Sequence, residues 1–205
     1  ETKLGFAIND NFRKRFNQSY SVDVVDNFSY KQASPEANFN GETSFVEVED
    51  VANVLSFPHV GNNRSKPFSI SFWIKIVEAG QFGTVLEKDQ EYYVDVNTSN
   101  DTLTFCLKGR TNQGALSLLQ IEFDVALGTD TWNHVMLTYE GDGANSANQD
   151  SIKMYLNSAE VAGNNADTFT GVMPDTTGKL LIGSGWHNAN QEPVNHSLAR
   201  LRNLV

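Results

Sequence analysis

From residue 68 to residue 76 the chain reads FSISFWIKI. Phe68, Ile70, Phe72, Ile74 and Ile76 fall on one side of an extended backbone, and Ser69, Ser71, Trp73 and Lys75 on the other. Side chains of a strand point alternately to its two faces, so this pattern describes a half-buried antiparallel strand. The same period recurs downstream. HVMLTY places Val135, Leu137 and Tyr139 inward, SIKMYLN does so with Ile152, Met154 and Leu156, and FVEV keeps Phe45 and Glu47 in phase. Further strands are expected at GTVLEK, EYYVDVN, TLTFCLKG, SLLQIEFDV and KLLIGS, separated by turn-forming clusters such as GNNRSKP, NTSND and PDTTG. About a dozen short strands at this spacing, with almost no helical periodicity, predict an all-β fold: a two-sheet antiparallel β-sandwich of the jelly-roll type.

The first segment reads differently. Residues 1–35 mix aromatic and basic side chains and hold one clear strand candidate, YSVDVVD. They are expected to form an N-terminal arm or extra strand that packs on the domain or on a neighbour, which makes an oligomer through this arm an open expectation. Residues 36–205 form the sandwich itself. The chain starts with Glu and stops at LARLRNLV, a strand-like end without a closing turn. Both ends read as trimmed, so a missing targeting signal carries no information.

Composition narrows the function classes. With 40% hydrophobic residues in 205, a sizeable core is available. A formal net charge of −10 argues against nucleic acid as the partner. It suits cations or neutral partners such as sugars. No apolar run approaches the ~18 residues of a membrane span, so membrane insertion is not expected. The one cysteine, Cys106, alternates with Thr104 and Lys108. It reads as a strand residue, packed or facing outward, rather than as a catalytic thiol. Asn-X-Ser/Thr triplets start at Asn17, Asn27, Asn63, Asn97, Asn100 and Asn195. In a chain this rich in Asn, Ser and Thr, chance supplies most of them.

Several ordered motifs carry a resemblance. ANFNGETSFVEVED, PFSISFWIKI, GTDTWNHVMLTYEGD followed by IKMYLNSAEVAG, KLLIGSG and HSLARLRNLV together resemble the laminin-G-like domains of the concanavalin A-like lectin/glucanase superfamily. The resemblance spans residues 36–205 and implies the concanavalin A-like sandwich. It does not imply one function, because that fold hosts lectins, glycosidases, adhesion modules and spacers. It does imply a structural calcium between the opening turn and the last strand. Here Asn40 stands where Asp is usual, Thr43 and Ser44 replace an acidic pair, and Ala199 falls where an Asp often lies. Asn40 and Glu42 are the candidate Ca²⁺ ligands that remain, through amide and carboxylate oxygens.

The related glucanases use Glu-x-Asp-x-x-Glu on one strand, which aims the carboxylates into one cleft. The nearest phrase is IEFDVALG, where Glu122 and Asp124 share a face but the third carboxylate is absent. Glu47 and Glu49 in VEVED share a face at a weak spacing. Such pairs usually belong to a solvated face, so catalytic residues are expected to be none. Recognition chemistry is better represented. The resemblance puts the strands of Trp73, His134 and Tyr155 in one sheet, where Trp73, His134, Met136 and Tyr155 would line its concave side. An aromatic groove with polar neighbours stacks on sugar rings and hydrogen-bonds their hydroxyls. The loop GSGWHNANQEPVNH adds Trp186, His187 and Asn188 as further candidate glycan ligands. The competing reading is packing. In it Trp132 and His134 anchor a turn and cover the sheet against a crossing loop or the arm, and Trp186 folds back over the sheet edge.

The expected function is a non-catalytic recognition or adhesion module, extracellular or on a cell or virion surface, with carbohydrate as the leading ligand. The alternative is a structural decoration module of a virion, fibre or surface layer, docking on a surface or assembly protein. A glucanase-type hydrolase comes third.

Overall fold

The computed structural model describes residues 22–25, 29–30, 36–51, 53–57, 66–110, 114–141, 151–164, 173–187 and 192–205. In chain order the strands are β1 (Val22–Val25), β2 (Ser29–Tyr30), β3 (Ala37–Asn38), β4 (Phe45–Val48), β5 (Phe68–Ile76), β6 (Phe82–Lys88), β7 (Tyr92–Asn97), β8 (Thr102–Arg110), β9 (Leu116–Asp124), β10 (Trp132–Tyr139), β11 (Ile152–Leu156), β12 (Ala159–Val161), β13 (Gly163–Asn164), β14 (Leu180–Ile182), β15 (Gly185–His187), β16 (Glu192–Val194) and β17 (Ala199–Arg202). They form an eight-stranded sheet in the order β1-β4-β14-β6-β7-β8-β9-β13 and a seven-stranded sheet in the order β12-β11-β10-β5-β17-β3-β2. The pairings between these strands are antiparallel, and β15 and β16 make a separate hairpin. This is the two-sheet sandwich that the alternation predicts.

The core sits between the two inner faces. Phe72 and Ile74 of β5, Val135 and Leu137 of β10 and Met154 of β11 meet Leu103, Phe105 and Leu107 of β8 and Leu119 and Ile121 of β9. These side chains are all but fully buried. At ~25 cal/mol per Å² of buried apolar surface, this layer drives folding. At one end Phe57 stacks on Phe68 with ring centroids 4.1 Å apart, and Phe68 meets Phe105 and Tyr139 edge-on. Cys106, which shares a face with Tyr93 away from this core, is fully buried, and desolvation pushes its thiol up to about 12. It is an unreactive strand residue.

The segment around YSVDVVD contributes to both sheets. β1 pairs with β4, Val24 opposite Val46, and β2 pairs with β3, Tyr30 opposite Ala37. Each becomes the edge strand of its sheet on the same side of the sandwich. Near them, Gly183 closes the turn after β14 at φ +82°, and a Cβ there would lie 2.1 Å from the Phe39 ring. Only glycine fits both the left-handed backbone and the ring beneath it.

A buried ionic clasp holds the connecting segments. The Lys88 ammonium lies 3.3 Å from Asp50 Oδ2 and 3.1 Å from Glu91 Oε1, and all three side chains are sealed from solvent. Ser56 Oγ lies 2.7 Å from Glu91 Oε1, to which its one proton donates, and 3.1 Å from Asp50 Oδ2, and the Thr176 hydroxyl and amide donate to Glu91 Oε1. Asp50 Oδ1 accepts the amides of Val54 and Leu55. Residues 50, 54–56 and 176 are thereby tied to Lys88 at the end of β6 and to Glu91.

Candidate functional site

The outer face of the seven-stranded sheet is built by β11, β10, β5 and β17. On β10, Trp132, His134, Met136 and Thr138 alternate with the buried Asn133, Val135, Leu137 and Tyr139. Register then fixes which side chains meet. His134 is opposite Trp73, which is opposite Arg202. Trp132 is opposite Lys75, which is opposite Arg200. Met136 lies between Tyr155 and Ser71. Directly opposed residues share a face, so these side chains form one surface, and all of them are half-buried.

The geometry within that surface is specific. The Arg202 guanidinium carbon lies 4.0 Å from the Trp132 ring centroid and 5.2 Å from that of Trp73, so the cation is in cation–π contact with both indoles. Trp73 and His134 have centroids 5.2 Å apart at 48°. Ser71 Oγ shares a 2.9 Å hydrogen bond with His134 Nε2, which fixes the imidazole. Lys75 reaches Asp130 at 3.2 Å, and Arg200 reaches Glu36 at 3.3 Å. Among the described residues, neither the Arg202 N–H groups nor the Trp73 and Trp132 indole N–H groups have an acceptor.

The start of β10 is held from beneath. Asn133, 6% exposed, donates to Leu127 O and accepts from Asn157 Nδ2, while Asn157 Oδ1 accepts the His134 amide. Asn157 and Ser158 both have positive φ and form the two-residue turn between β11 and β12. That is the backbone of a tight hairpin loop, which Asn tolerates at little cost. The backbone at His134 is thus held by an asparagine pair, its imidazole by Ser71 and the Trp132 ring by Arg202.

Trp73, His134 and Tyr155 are therefore brought together on one face, as expected. Trp186 is not with them. It lies on β15, over the outer face of the other sheet. Its amide donates to Glu87 Oε2 at 2.9 Å, and its indole N–H donates to Lys179 O at 3.4 Å. A Cβ on Gly185 would come within 2.8 Å of Glu87 Oε2, so β15 lies close on that sheet. Below it Glu87 pairs with Lys108, and Tyr93 donates to Gln120. Asp95, which accepts the Thr84 hydroxyl, is raised to about 6 by burial. His187 is a backbone member of β15, and Asn188 lies outside the described residues.

Arg202, Arg200 and Ser71 are the residues that sequence reading did not single out. For the two arginines a signal was present: LARLR alternates like every other strand here, with Ala199 and Leu201 inward. Three of the four carboxylates weighed for catalysis, all but Glu122, are engaged by other side chains. Asp124 accepts from Asn164 Nδ2 at 2.7 Å, and Lys179 bridges Glu47 and Glu49.

The implied calcium can be tested against its donors. Asn40 Oδ1 accepts the amides of Glu42, Thr43 and Ser44 at 3.0, 2.9 and 2.9 Å. Three N–H donors leave that oxygen no lone pair for a cation. Glu42 is exposed, and the described residues hold no group of three or more Asp, Glu, His or Cys side chains arranged for a metal. Asn40 and Glu42 do not fit a calcium cage as placed. A small cavity of about 40 Å³ opens at the rim between the sheets, lined in part by Ile76, Val96, Asp101 and Gly128. It is far smaller than a ligand pocket and carries no aromatic side chain.

A two-sheet antiparallel sandwich of this strand order belongs to the class of concanavalin A-like jelly-roll folds. More particularly, the chain belongs to the concanavalin A-like lectin/glucanases superfamily, whose laminin-G-type family model matches residues 49–202. No curated protein sequence gives a significant match. Similar solved structures include the receptor-binding domain of botulinum neurotoxin D, with a TM-score of 0.57, 16% identity, and coverage of 91% of this chain and 43% of that one. Another is the botulinum neurotoxin DC binding domain in complex with rat synaptotagmin II, with a TM-score of 0.57, 17% identity, and coverage of 89% and 41%. The same domain in complex with SialylT gives a TM-score of 0.55, 16% identity, and coverage of 91% and 42%. At such identities the likeness is one of fold. The chain spans about two-fifths of the length of those structures.

Proposed function

We propose that this chain is a non-catalytic recognition module acting outside the cell, and that it binds carbohydrate on the outer face of the seven-stranded sheet. The observation that carries this reading is the contiguous surface of Trp132, Trp73, His134 and Tyr155, half-exposed and rigidly seated on three paired strands. Indole N–H and guanidinium donors left unspent beside these rings suit a sugar, whose hydroxyl and ring oxygens accept hydrogen bonds. That solved neighbours of this fold are titled as receptor-binding domains, one with a protein partner and one with SialylT, supports a binding role over a catalytic one. The carboxylates Glu47, Glu49 and Asp124 are tied to lysine or asparagine partners, which also disfavours a glycosidase.

The decisive experiment is a glycan array probed with the purified chain and with Trp73→Ala. Binding by the first and at least a tenfold loss in the second is the expected outcome. A blank array for the parent chain, or equal binding by Trp73→Ala, would refute the reading.

A further inference from the structure

We infer that the sugar is an acidic one, carrying a single carboxylate that Arg202 receives. The inference rests on the carbohydrate reading above and adds the charge of the ligand. Its basis is the division of labour among the cations on this face. Lys75 is answered by Asp130 and Arg200 by Glu36, each within a 3.3 Å contact. Arg202 has no carboxylate among the described residues. Its guanidinium is instead held by the faces of Trp132 and Trp73.

Contact with the indole rings engages the π face of a guanidinium and does not use its N–H edge, and no Arg202 N–H has an acceptor among the described residues. That edge presents donors in a planar fork whose spacing matches a carboxylate. The indoles hold the fork still, so little side-chain entropy remains to be lost when an anion docks. The neighbouring Trp73 and His134 then lie where the sugar ring attached to that carboxylate would rest. Ser71 fixes the imidazole, which leaves Nδ1 as the ring nitrogen able to meet a hydroxyl.

The rest of the molecule limits the ligand's charge. The chain carries a formal net charge of −10, and Glu160 stands opposite Tyr155 at the far side of the same face. A long polyanion would lay further negative groups against this acidic surface. A ligand with one carboxylate makes the contact with Arg202 within a Debye length of about 8 Å and avoids the remainder. Lys153, two positions from Tyr155 on β11, is a second cation but lies beyond the aromatic cluster.

The test uses matched probes. Oligosaccharides ending in a uronic or sialic acid are compared with their carboxyl-reduced forms, with their neutral cores and with a heavily sulfated polymer. Affinities are measured by calorimetry for the parent chain, Arg202→Gln and Arg202→Lys. Tryptophan fluorescence and thermal unfolding verify that each variant is folded. The expected result is binding of the acidic oligosaccharide and loss of roughly 10- to 100-fold on carboxyl reduction or in Arg202→Gln, the range of a charge-assisted hydrogen-bond pair. Arg202→Lys keeps the charge without the fork and recovers only part. Equal binding of acidic and neutral forms would overturn the inference and leave the carbohydrate reading standing. So would unchanged affinity in folded Arg202→Gln, or tightest binding by the sulfated polymer. Failure of every sugar to bind would overturn both.

Discussion

Replacing Lys88 by methionine tests the buried clasp most directly. The substitution keeps the length of the side chain and removes an ammonium that sits within 3.3 Å of two carboxylates. Asp50 and Glu91 are left facing each other with no solvent to share their charge, and only neutral donors remain: Ser56, Thr176 and the amides of Val54 and Leu55. Removing one partner of a buried ionic group costs about 3–5 kcal/mol, against a total stability of about 5–15 kcal/mol. For a chain of this size that is a fall in Tm of roughly 6–20 °C. Thermal and urea unfolding, followed by tryptophan fluorescence, measure it. The triple variant Lys88→Met, Asp50→Asn, Glu91→Gln carries no charge at the site and keeps acceptors for Ser56 and Thr176, so it recovers most of the loss. A single-variant cost below ~1 kcal/mol, the range of an exposed pair, would refute the desolvation argument. A triple variant as unstable as the single one would place the cost in packing instead.

Other outcomes follow from particular residues. Because burial raises Asp95 to about 6, the folded chain binds more protons than the unfolded one between pH ~4 and that value. Stability therefore falls as pH rises through this window, by an amount on the order of 2–3 kcal/mol, and Asp95→Asn flattens the dependence in pH-resolved unfolding. Gly183→Ala meets both the left-handed backbone and the Phe39 ring, so it lowers stability by more than the ~1 kcal/mol of an ordinary glycine change. Deleting residues 1–25 removes β1 and exposes the edge of β4, which is expected to produce concentration-dependent association in light scattering. Adding calcium or a chelator leaves the Tm unchanged, as measured by differential scanning fluorimetry, because Asn40 Oδ1 is already saturated by three amides.

The sandwich was legible in the sequence because its strands bury one face each. Where a face is buried, a one-residue slip would expose every apolar side chain, so period two reports register as well as strand. Phe68 to Ile76 and Val135 to Tyr139 show this directly. The placement of Trp73, His134 and Tyr155 on one surface followed from the same alternation once the resemblance supplied strand adjacency. Three things were not legible. Cross-strand neighbours depend on sheet order, so the partnership of Arg202 with Trp132 and Trp73 appears only when β17 is seen beside β5. The hairpin β15–β16 pairs Gly185–His187 with Glu192–Val194, short strands whose alternation is too brief to read. The clasp around Lys88 joins residues 50, 56, 88, 91 and 176, and no local pattern marks a buried lysine whose partners are this distant.

The two outward tryptophan clusters show why side-chain type alone could not identify the site. Both satisfy the same rule, an indole on the solvent face of a strand, and the fold treats them oppositely. At Trp186 the backbone amide and the indole N–H are both consumed, by Glu87 and Lys179, and β15 closes over a sheet face where Lys108 already neutralises Glu87. That tryptophan covers a surface. At Trp73 and Trp132 the rings contact Arg202, and Trp73 also contacts His134, while the hydrogen-bonding edges of the indoles and the guanidinium have no acceptor among the described residues. A packing role alone would be served by an aliphatic side chain in place of Arg202, without the cost of holding a cation in a half-buried position. An arginine in contact with two indoles and with its donors unspent combines that packing with a hydrogen-bond fork held in place. For this reason the face of β10, β5 and β17, and not the hairpin over the opposite sheet, is where a ligand should be sought.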